Sequence, residues 1–254
     1  MSMSGNVGVI PRERQSAFAG LNDFRQMDVG RVRTFWRTVE RIPAGANIAA
    51  EPDSRKRQIV VVSGWISETR ILPDGRRQIF AFLLPGDVAS INASSHVGSR
   101  GLVALTNVEV ADASALTVGE QGERISASLT DAIRQREERL FDQIVRIGRL
   151  TAKERVLNLL LELYDRLDAI GLVKENTFRI PLTQEVFADA LGLSVVHINR
   201  TLQQLRREGM LTVGRGTVTL HQRHKLASFA CYQSETQQAE GDRQPRRIGA
   251  LSRD

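Results

Sequence analysis

Side chains that can read DNA base edges cluster in one short segment towards the C-terminus. Arg200 and Asn199 are the types that best match guanine and adenine edges in the major groove. Ile198, Leu202 and Leu205 recur at three- and four-residue spacing, which predicts a helix that buries them and leaves the polar side chains exposed. The pattern therefore predicts a DNA-recognition helix. The other side chains expected on its exposed face are Val195, Val196, His197 and Gln203.

The residues on either side of this helix predict the rest of a winged helix-turn-helix. Thr183 and Ser194 are helix-capping types, and Gly192 between them permits the positive φ of a tight turn. Ala188 is small where two helices must approach each other closely. Two β-rich arms then flank a Gly-Arg-Gly turn centred on Arg215, which is typical of a wing.

Charge near this segment favours a polyanionic partner. The chain carries a net charge of +6, and between Arg179 and Lys225 there are seven basic residues against three acidic ones, an excess of +4. A solvated helix surface explains Arg206, Arg207 and Glu208 equally well, so these three residues alone do not decide the matter.

Composition narrows the remaining functions. One cysteine, Cys231, excludes an internal disulfide and a cysteine-ligated cluster within one chain. The four histidines are scattered, and no metalloprotease, nucleophile-elbow or phosphate-loop motif is present, so we expect neither an enzyme nor a metal site. No apolar segment is long enough for a secretory signal or a membrane span, so we expect a cytoplasmic protein with no membrane partner.

Elements of two kinds precede the helix-turn-helix. Short apolar runs separated by glycines predict an all-β sandwich or roll, with a clear hairpin around Pro73-Asp74-Gly75. A long helix follows, with a heptad pattern interrupted by Arg136 and Gln143. We expect this helix to pair with a second copy, although packing on its own β-domain remains open. The predicted dimer contacts are Leu129, Ile133, Arg136, Leu140, Ile144 and Ile147.

The next helix begins at a capping box, in which Thr151 is followed three residues later by Glu154. The whole pattern predicts an α+β fold in five parts. These are a flexible tail (1–20), a β-roll (21–125), a dimerisation helix (126–149), a winged helix-turn-helix (150–228) and a disordered tail (229–254).

Three segments in this order resemble the Crp/Fnr family, the bacterial transcription factors related to the cyclic AMP receptor protein and the fumarate and nitrate reduction regulator. They are LPDGRRQIFAFLLPGD, TAKERVLNLLLEL and LTQEVFADALGLSVVHINRTLQQLRREGML, and the resemblance extends over residues 21–232. The last two are most similar to alphaproteobacterial members. The resemblance implies a cyclic-nucleotide-binding-like jelly roll as sensor, and a homodimer that binds an inverted repeat in double-stranded DNA. It also implies RNA polymerase as a partner.

The same resemblance assigns roles in the DNA-binding part. It implies that Arg200 reads a guanine, that Val196 and Asn199 occupy neighbouring base-facing positions, and that Thr183 and Gln184 grip the phosphate backbone. The family's glutamate on the recognition helix is replaced by Val196. A valine contacts thymine methyl groups or excludes other groups, so the family's half-site cannot simply be transferred.

The sensor part departs from the family pattern. Members that bind cyclic AMP use a glutamate for the ribose and an Arg-Ser pair for the phosphate, but no glutamate follows Gly86 and Asp87 here. A ribose hydroxyl without an acceptor costs about 1–3 kcal/mol, so we expect no cofactor and disfavour a cyclic nucleotide. Residues 1–35 contain no cysteine for an iron–sulfur cluster, while haem binding by His96 is left open. The candidate effector residues are Gly86, Asp87, Ser99 and Arg100.

Two rival functions remain. One is a genuine cyclic-nucleotide-responsive regulator. The other is a protein-interaction module built on the β-roll that does not bind DNA. The helix-turn-helix and wing favour the DNA-binding regulator over the second rival, because an interaction module has no need of them.

Overall fold

The N-terminal part of the molecule is a two-sheet β-roll. A computed structural model describes residues 35–48, 57–91, 100–117 and 122–234. The strands of the roll are β1 (Glu40–Ile42), β2 (Arg57–Ser63), β3 (Ile66–Ile71), β4 (Arg77–Leu83), β5 (Val88–Ile91), β6 (Arg100–Ala104) and β7 (Val108–Asp112). They form two antiparallel sheets with the strand orders β1-β7-β2-β5 and β4-β3-β6.

Strand β2 shows why the roll needs a near-continuous apolar run. Ile59 and Val61 point into the core between the two sheets, and Val60 and Val62 point to the opposite face, which is also buried. Because successive side chains of a strand alternate in direction, a strand covered on both faces is apolar throughout. The predicted hairpin is confirmed: β3 pairs with β4, and Gly75 in the turn has a φ of 85°.

The C-terminal part is helical with a small sheet. Its helices are α1 (Gly122–Arg149), α2 (Ala152–Ala169), α3 (Gln184–Leu191), α4 (Val195–Arg207) and α5 (Arg223–Phe229). The strands β8 (Val173–Lys174), β9 (Thr177–Arg179), β10 (Leu211–Val213) and β11 (Thr217–Leu220) form a sheet of order β10-β11-β9-β8. The capping box at the start of α2 is confirmed, with the Thr151 amide donating to Glu154 at 2.7 Å. Among the described helices, none combines the length and apolarity needed to cross a bilayer.

Two predicted boundaries need correction. Helix α1 begins at Gly122 rather than 126, because the buried Ile125 extends its packing surface against the roll. The packed chain also continues past 228: Ala230 is fully buried, and the Tyr232 hydroxyl donates to Asp165 at 2.9 Å. Residues 229–232 therefore belong to the fold rather than to a tail. The predicted tail at 1–20 and the rest of the C-terminal one, 235–254, lie outside the described residues.

The roll and the helix-turn-helix share one hydrophobic core. Trp65, Ile79 and Phe82 of the roll belong to the same buried cluster as Leu159 of α2 and Leu191 of α3. Apolar burial contributes about 25 cal/mol per Å², so this continuous core stabilises a fixed orientation of the two parts.

The predicted dimer seam on α1 is wrong in its N-terminal half. Leu129 is 3% exposed in a cluster with the roll, Ile133 packs against that cluster, and Arg136 pairs with Glu68 of β3. These three residues therefore pack on the chain's own β-domain, which is the alternative that the sequence left open. Leu140 and Ile147 are half-buried, and Ile144 is exposed. The large exposed apolar side chains of α1 are Phe141, Ile144 and Val145, with 56%, 62% and 53% of their surface accessible.

Candidate nucleic-acid interface

Helices α3 and α4 form the predicted helix-turn-helix. Gly192 follows α3 in the left-handed region, with φ 63° and ψ 38°, and its amide donates to the Ala188 carbonyl. The Leu193 amide also donates to that carbonyl, at 3.2 Å. Ala188 is buried, as expected for a small residue where two helices approach each other. Glycine adopts this backbone conformation without steric cost, so the turn is specified locally.

Side-chain caps begin both helices. The Thr183 hydroxyl accepts a hydrogen bond from the Val186 amide at 3.3 Å, and the Ser194 hydroxyl accepts one from the His197 amide at 3.2 Å. Both capping residues are exposed, as is Gln184, the first residue of α3. The positive ends of the two helix dipoles are therefore accessible to phosphate oxygens.

Helix α4 has one buried and one exposed face. Ile198 and Leu205 are completely buried, and Thr201 is 3% exposed. On the opposite face Val196 is 69% exposed, which meets the first requirement for a recognition helix. The predicted contacts Val195, His197, Arg200 and Gln203 are also exposed, and Asn199 is half-buried.

The polar groups of that face are available to a ligand. Within the described parts of the chain, the side chains of Asn199, Arg200 and Gln203 form no hydrogen bond or ion pair. A folded protein normally satisfies its polar side chains with its own groups or with water. Three unengaged donors on one exposed helix face can therefore bind an external partner without first breaking an internal contact.

The wing continues directly from the recognition helix. The Met210 amide donates to the Leu205 carbonyl at 3.0 Å, and β10 begins at the next residue. Strands β10 and β11 then pair around the predicted turn, which the Gly214 amide closes with a 2.9 Å bond to Thr217. Arg215 is exposed at the tip of this turn.

The acidic residue after α4, Glu208, is hydrogen-bonded to Lys153 and Gln204 rather than to the two arginines that precede it. Glu208 accepts hydrogen bonds from Lys153 at 3.1 Å and from Gln204 at 2.9 Å. The hydrogen bond from Lys153, followed by that from Gln204, lowers the pKa of Glu208. Arg206 and Arg207 are exposed and form no ion pair with it, so the positive charge at the end of α4 remains accessible.

Two of the four predicted effector residues, Gly86 and Asp87, line one cleft in the described structure. Gly86 occupies the turn between β4 and β5 with a φ of 97°. The Asp87 carboxylate accepts from the Leu84 amide at 2.6 Å, from Arg139 of α1 at 3.1 Å and from Arg166 of α2. This carboxylate joins the roll to two helices, a structural role that the sequence did not indicate. Ser99 and the side chain of Arg100 lie outside the described residues.

A buried polar network between α1 and α2 was not predicted from the sequence. Arg146 is 2% exposed and donates to Asn158 at 2.9 Å, to Glu162 at 2.6 Å and to Gln143. Burial acts to raise the pKa of Glu162, but Arg146 and Arg166 outweigh it, and the pKa lies below its usual value. The available signal was Gln143, one of the two polar residues that interrupt the heptad.

A cleft of about 650 Å³ lies beside this network. Arg139, Arg166 and Arg223 line it together with Asp142, Asp165 and Asp168. The mixture of charges does not select an anion such as a cyclic phosphate. Among the described residues there is also no group of three or more His, Cys, Asp or Glu that could hold a metal ion.

Comparisons with known proteins agree with this architecture. The model of the Crp-like helix-turn-helix domain matches residues 154–229. The nitrogen fixation regulation protein FixK of Bradyrhizobium diazoefficiens is 28% identical over 76% of this chain and 83% of the relative. The transcriptional activator protein FnrL of Cereibacter sphaeroides is 28% identical over 67% of this chain and 71% of its own.

Solved structures extend the likeness to the whole described fold. FixK2 from Bradyrhizobium japonicum superposes with a TM-score of 0.61 at 28% identity, over 75% of this chain and 96% of that chain. A mutant of CooA from Carboxydothermus hydrogenoformans has a TM-score of 0.62 over 82% of this chain and 94% of its own, and its 16% identity is evidence for the fold alone. Sequence relatives and structural neighbours thus agree with each other, and together they support a transcriptional regulator of the Crp/Fnr type.

Proposed function

We propose that this regulator binds an inverted-repeat operator in double-stranded DNA as a homodimer, with α4 in the major groove. The observation that carries the proposal is the exposed face of α4, where Asn199, Arg200 and Gln203 have no partner among the described residues. A recognition helix of this class contacts bases with residues near its N-terminus. Asn199 and Arg200 lie in the first two turns of α4, so they are in the right part of the helix.

Sequence discrimination is assigned to three residues. Arg200 donates two hydrogen bonds to a guanine, Asn199 contacts an adjacent base edge, and Val196 packs on a thymine methyl group. Backbone contacts set the register and supply most of the affinity. The residues assigned to phosphate contact are Thr183, Gln184, Ser194, Val195, His197, Gln203 and Arg215.

Dimerisation is assigned to the exposed stripe of α1. Phe141, Ile144 and Gly148 follow one another at spacings of three and four, and Val145 lies beside them. Such a stripe forms the seam of a two-stranded coiled coil. Two-fold symmetry then aligns the two α4 helices with major-groove faces about 34 Å apart, one helical turn of DNA. At promoters, RNA polymerase is the partner that the likeness to Crp/Fnr regulators supports.

DNA binding is proposed to need no cyclic nucleotide. Two observations support this part: the Asp87 carboxylate is already bound to Arg139 and Arg166, and the Glu68 carboxylate is bound to Arg136 of α1. All three ion pairs connect the roll to a helix of the same chain. They hold in place the elements whose arrangement an effector would otherwise have to set. A cytoplasmic location follows from a chromosomal DNA target.

The test is selection of bound sites from a random duplex pool by the purified protein, with and without cyclic AMP or cyclic GMP. The expected result is an inverted repeat with a guanine in each half-site, recovered equally in all three conditions. A pool that shows no enrichment in any condition contradicts DNA recognition. Enrichment that needs a cyclic nucleotide contradicts only the effector-free part of the proposal.

A further inference from the structure

The C-terminal end of α3 is held by other parts of the molecule. Because the chain turns away at Gly192, the last carbonyls of α3 receive no amide from a following helical turn. Orphan carbonyls at a buried helix end need donors from elsewhere. Ala190 is 1% exposed and Leu191 is fully buried, so water does not readily supply them.

Gln143 of α1 supplies the donor for the first of these carbonyls. Its side-chain amide lies 2.5 Å from the Ala190 oxygen, and the residue is 6% exposed. Gln78 of β4 approaches the same oxygen at 3.4 Å. The long helix and the roll therefore both reach the end of the first helix of the helix-turn-helix.

The orientation of the Gln143 amide is fixed by its neighbour. Arg146 donates to the Gln143 oxygen, and a guanidinium has no acceptor, so the amide nitrogen must point to Ala190. Asn158 and Glu162 hold Arg146 in turn. Gln143, which interrupts the heptad, thus donates a hydrogen bond to the end of α3.

Arg155 of α2 supplies the donor for the second carbonyl. Its Nη1 donates to the Leu191 oxygen at 3.0 Å, and its Nε donates to the Leu150 oxygen at 2.7 Å. Leu150 lies in the junction between α1 and α2. One planar guanidinium therefore joins the α1–α2 junction to the turn between α3 and α4. A lysine could not make both contacts through two nitrogens, because its side chain has only one.

We infer that Gln143 and Arg155 are positioning residues that set the angle of the recognition helix relative to the dimer helix. Helix α4 begins four residues after Leu191, so a displacement of this turn moves the base-reading face directly. In a dimer, the same displacement changes the separation of the two recognition helices. The inference rests on the proposed function, because it concerns how the homodimer matches its half-site spacing.

The test compares Gln143→Met and Arg155→Lys with matched controls. Methionine preserves the length of the side chain without a donor, and lysine preserves the charge without the fork. The controls are Gln135→Met and Arg149→Lys, two exposed residues of α1 that the described structure assigns no binding role. Affinity is measured for the selected operator, for the same operator with one base pair added between half-sites, and for a scrambled duplex.

The expected result is a loss of operator affinity of about tenfold in each test variant, with the preference for the native spacing reduced and the affinity for scrambled DNA unchanged. The controls are expected to match the wild type. Test variants that retain the wild-type spacing preference overturn the inference. A wild-type protein that does not distinguish its operator from scrambled DNA instead refutes the proposed function, and the inference with it.

Hydrogen exchange separates positioning from general loss of structure. In both test variants we expect faster exchange of the amides between Gly192 and Ser194, with the core of α2 unchanged. Faster exchange throughout α2 in both variants would mean that the two residues support the fold as a whole and would overturn the inference.

Discussion

Arg77 of the roll and Asp189 of α3 form a 2.7 Å ion pair across the boundary between the roll and the helix-turn-helix. Both side chains are about one-third exposed, at 32% and 28%. The pair adjoins the bonds from Gln78 and Gln143 to Ala190. The helix-turn-helix is thereby attached to the roll through its first helix, while its second helix remains exposed.

Removing the two charged side chains of this pair tests whether it joins the two parts. Arg77→Ala and Asp189→Ala should each lower the free energy of unfolding, with a coupling energy of about 0.5–1 kcal/mol in a double-mutant cycle. Solvent screening keeps the value small. Chemical denaturation monitored by tryptophan fluorescence supplies the measurement, because Trp65 lies in the shared core. Additive single mutants would mean that the contact contributes no stability.

Arg200→Ala is expected to weaken operator binding by about 1–3 kcal/mol, because it removes the two hydrogen bonds to a guanine. Binding to scrambled DNA should change little, since phosphate contacts remain. Titration of both duplexes at one fixed salt concentration measures the two affinities. Arg149→Ala, on the exposed end of α1, is the matched arginine control. An equal loss on operator and scrambled DNA would assign Arg200 to the backbone instead of a base.

Local signals in the sequence predicted the helix-turn-helix correctly. Thr183, Gly192 and Ser194 act through their own backbone or through amides three residues away, so neighbouring residues suffice to specify them. The capping box at Thr151 belongs to the same class. The match to the Crp-like helix-turn-helix domain and the likeness to known regulators agree with the prediction of a DNA-binding regulator.

Long-range pairing was the part that the sequence did not reveal. The heptad pattern on α1 predicted an apolar stripe. It did not indicate whether the roll or a second copy of the chain packs against that stripe. Leu129 and Ile133 contact the roll, and Phe141 lies on the neighbouring stripe. Glu68 and Arg136 are 68 residues apart in the chain, and nothing local in either segment indicates that they meet.

One double substitution and one single substitution distinguish the exposed stripe of α1 from the predicted seam. Phe141→Asp with Ile144→Asp should yield monomers, because two charges then lie in an apolar contact. Leu129→Ala should leave the dimer intact while lowering the free energy of unfolding by about 2–5 kcal/mol, the cost of a cavity in the roll core. Sedimentation and chemical denaturation measure these effects. A dimer that survives both aspartates would exclude the Phe141 stripe as the interface.

The lowered pKa of Glu162 predicts a specific loss of stability in acid. Its carboxylate is buried, which acts to raise the pKa, but Arg146 and Arg166 outweigh burial and hold the pKa below its usual value. A group whose pKa is lower in the folded state stabilises the protein above its unfolded pKa, about 4.3 for glutamate, and this stabilisation is lost as the pH falls through the folded pKa.

Glu162→Gln should therefore reduce the free energy of unfolding at neutral pH by about 1–3 kcal/mol. It should also flatten the decline of that free energy below about pH 4.3. Thermal unfolding across this pH range, with the exposed Glu138→Gln as control, measures both effects. An acid decline as steep in Glu162→Gln as in the wild type would assign the acid sensitivity to other carboxylates and contradict this role for the Arg146–Glu162–Arg166 cluster.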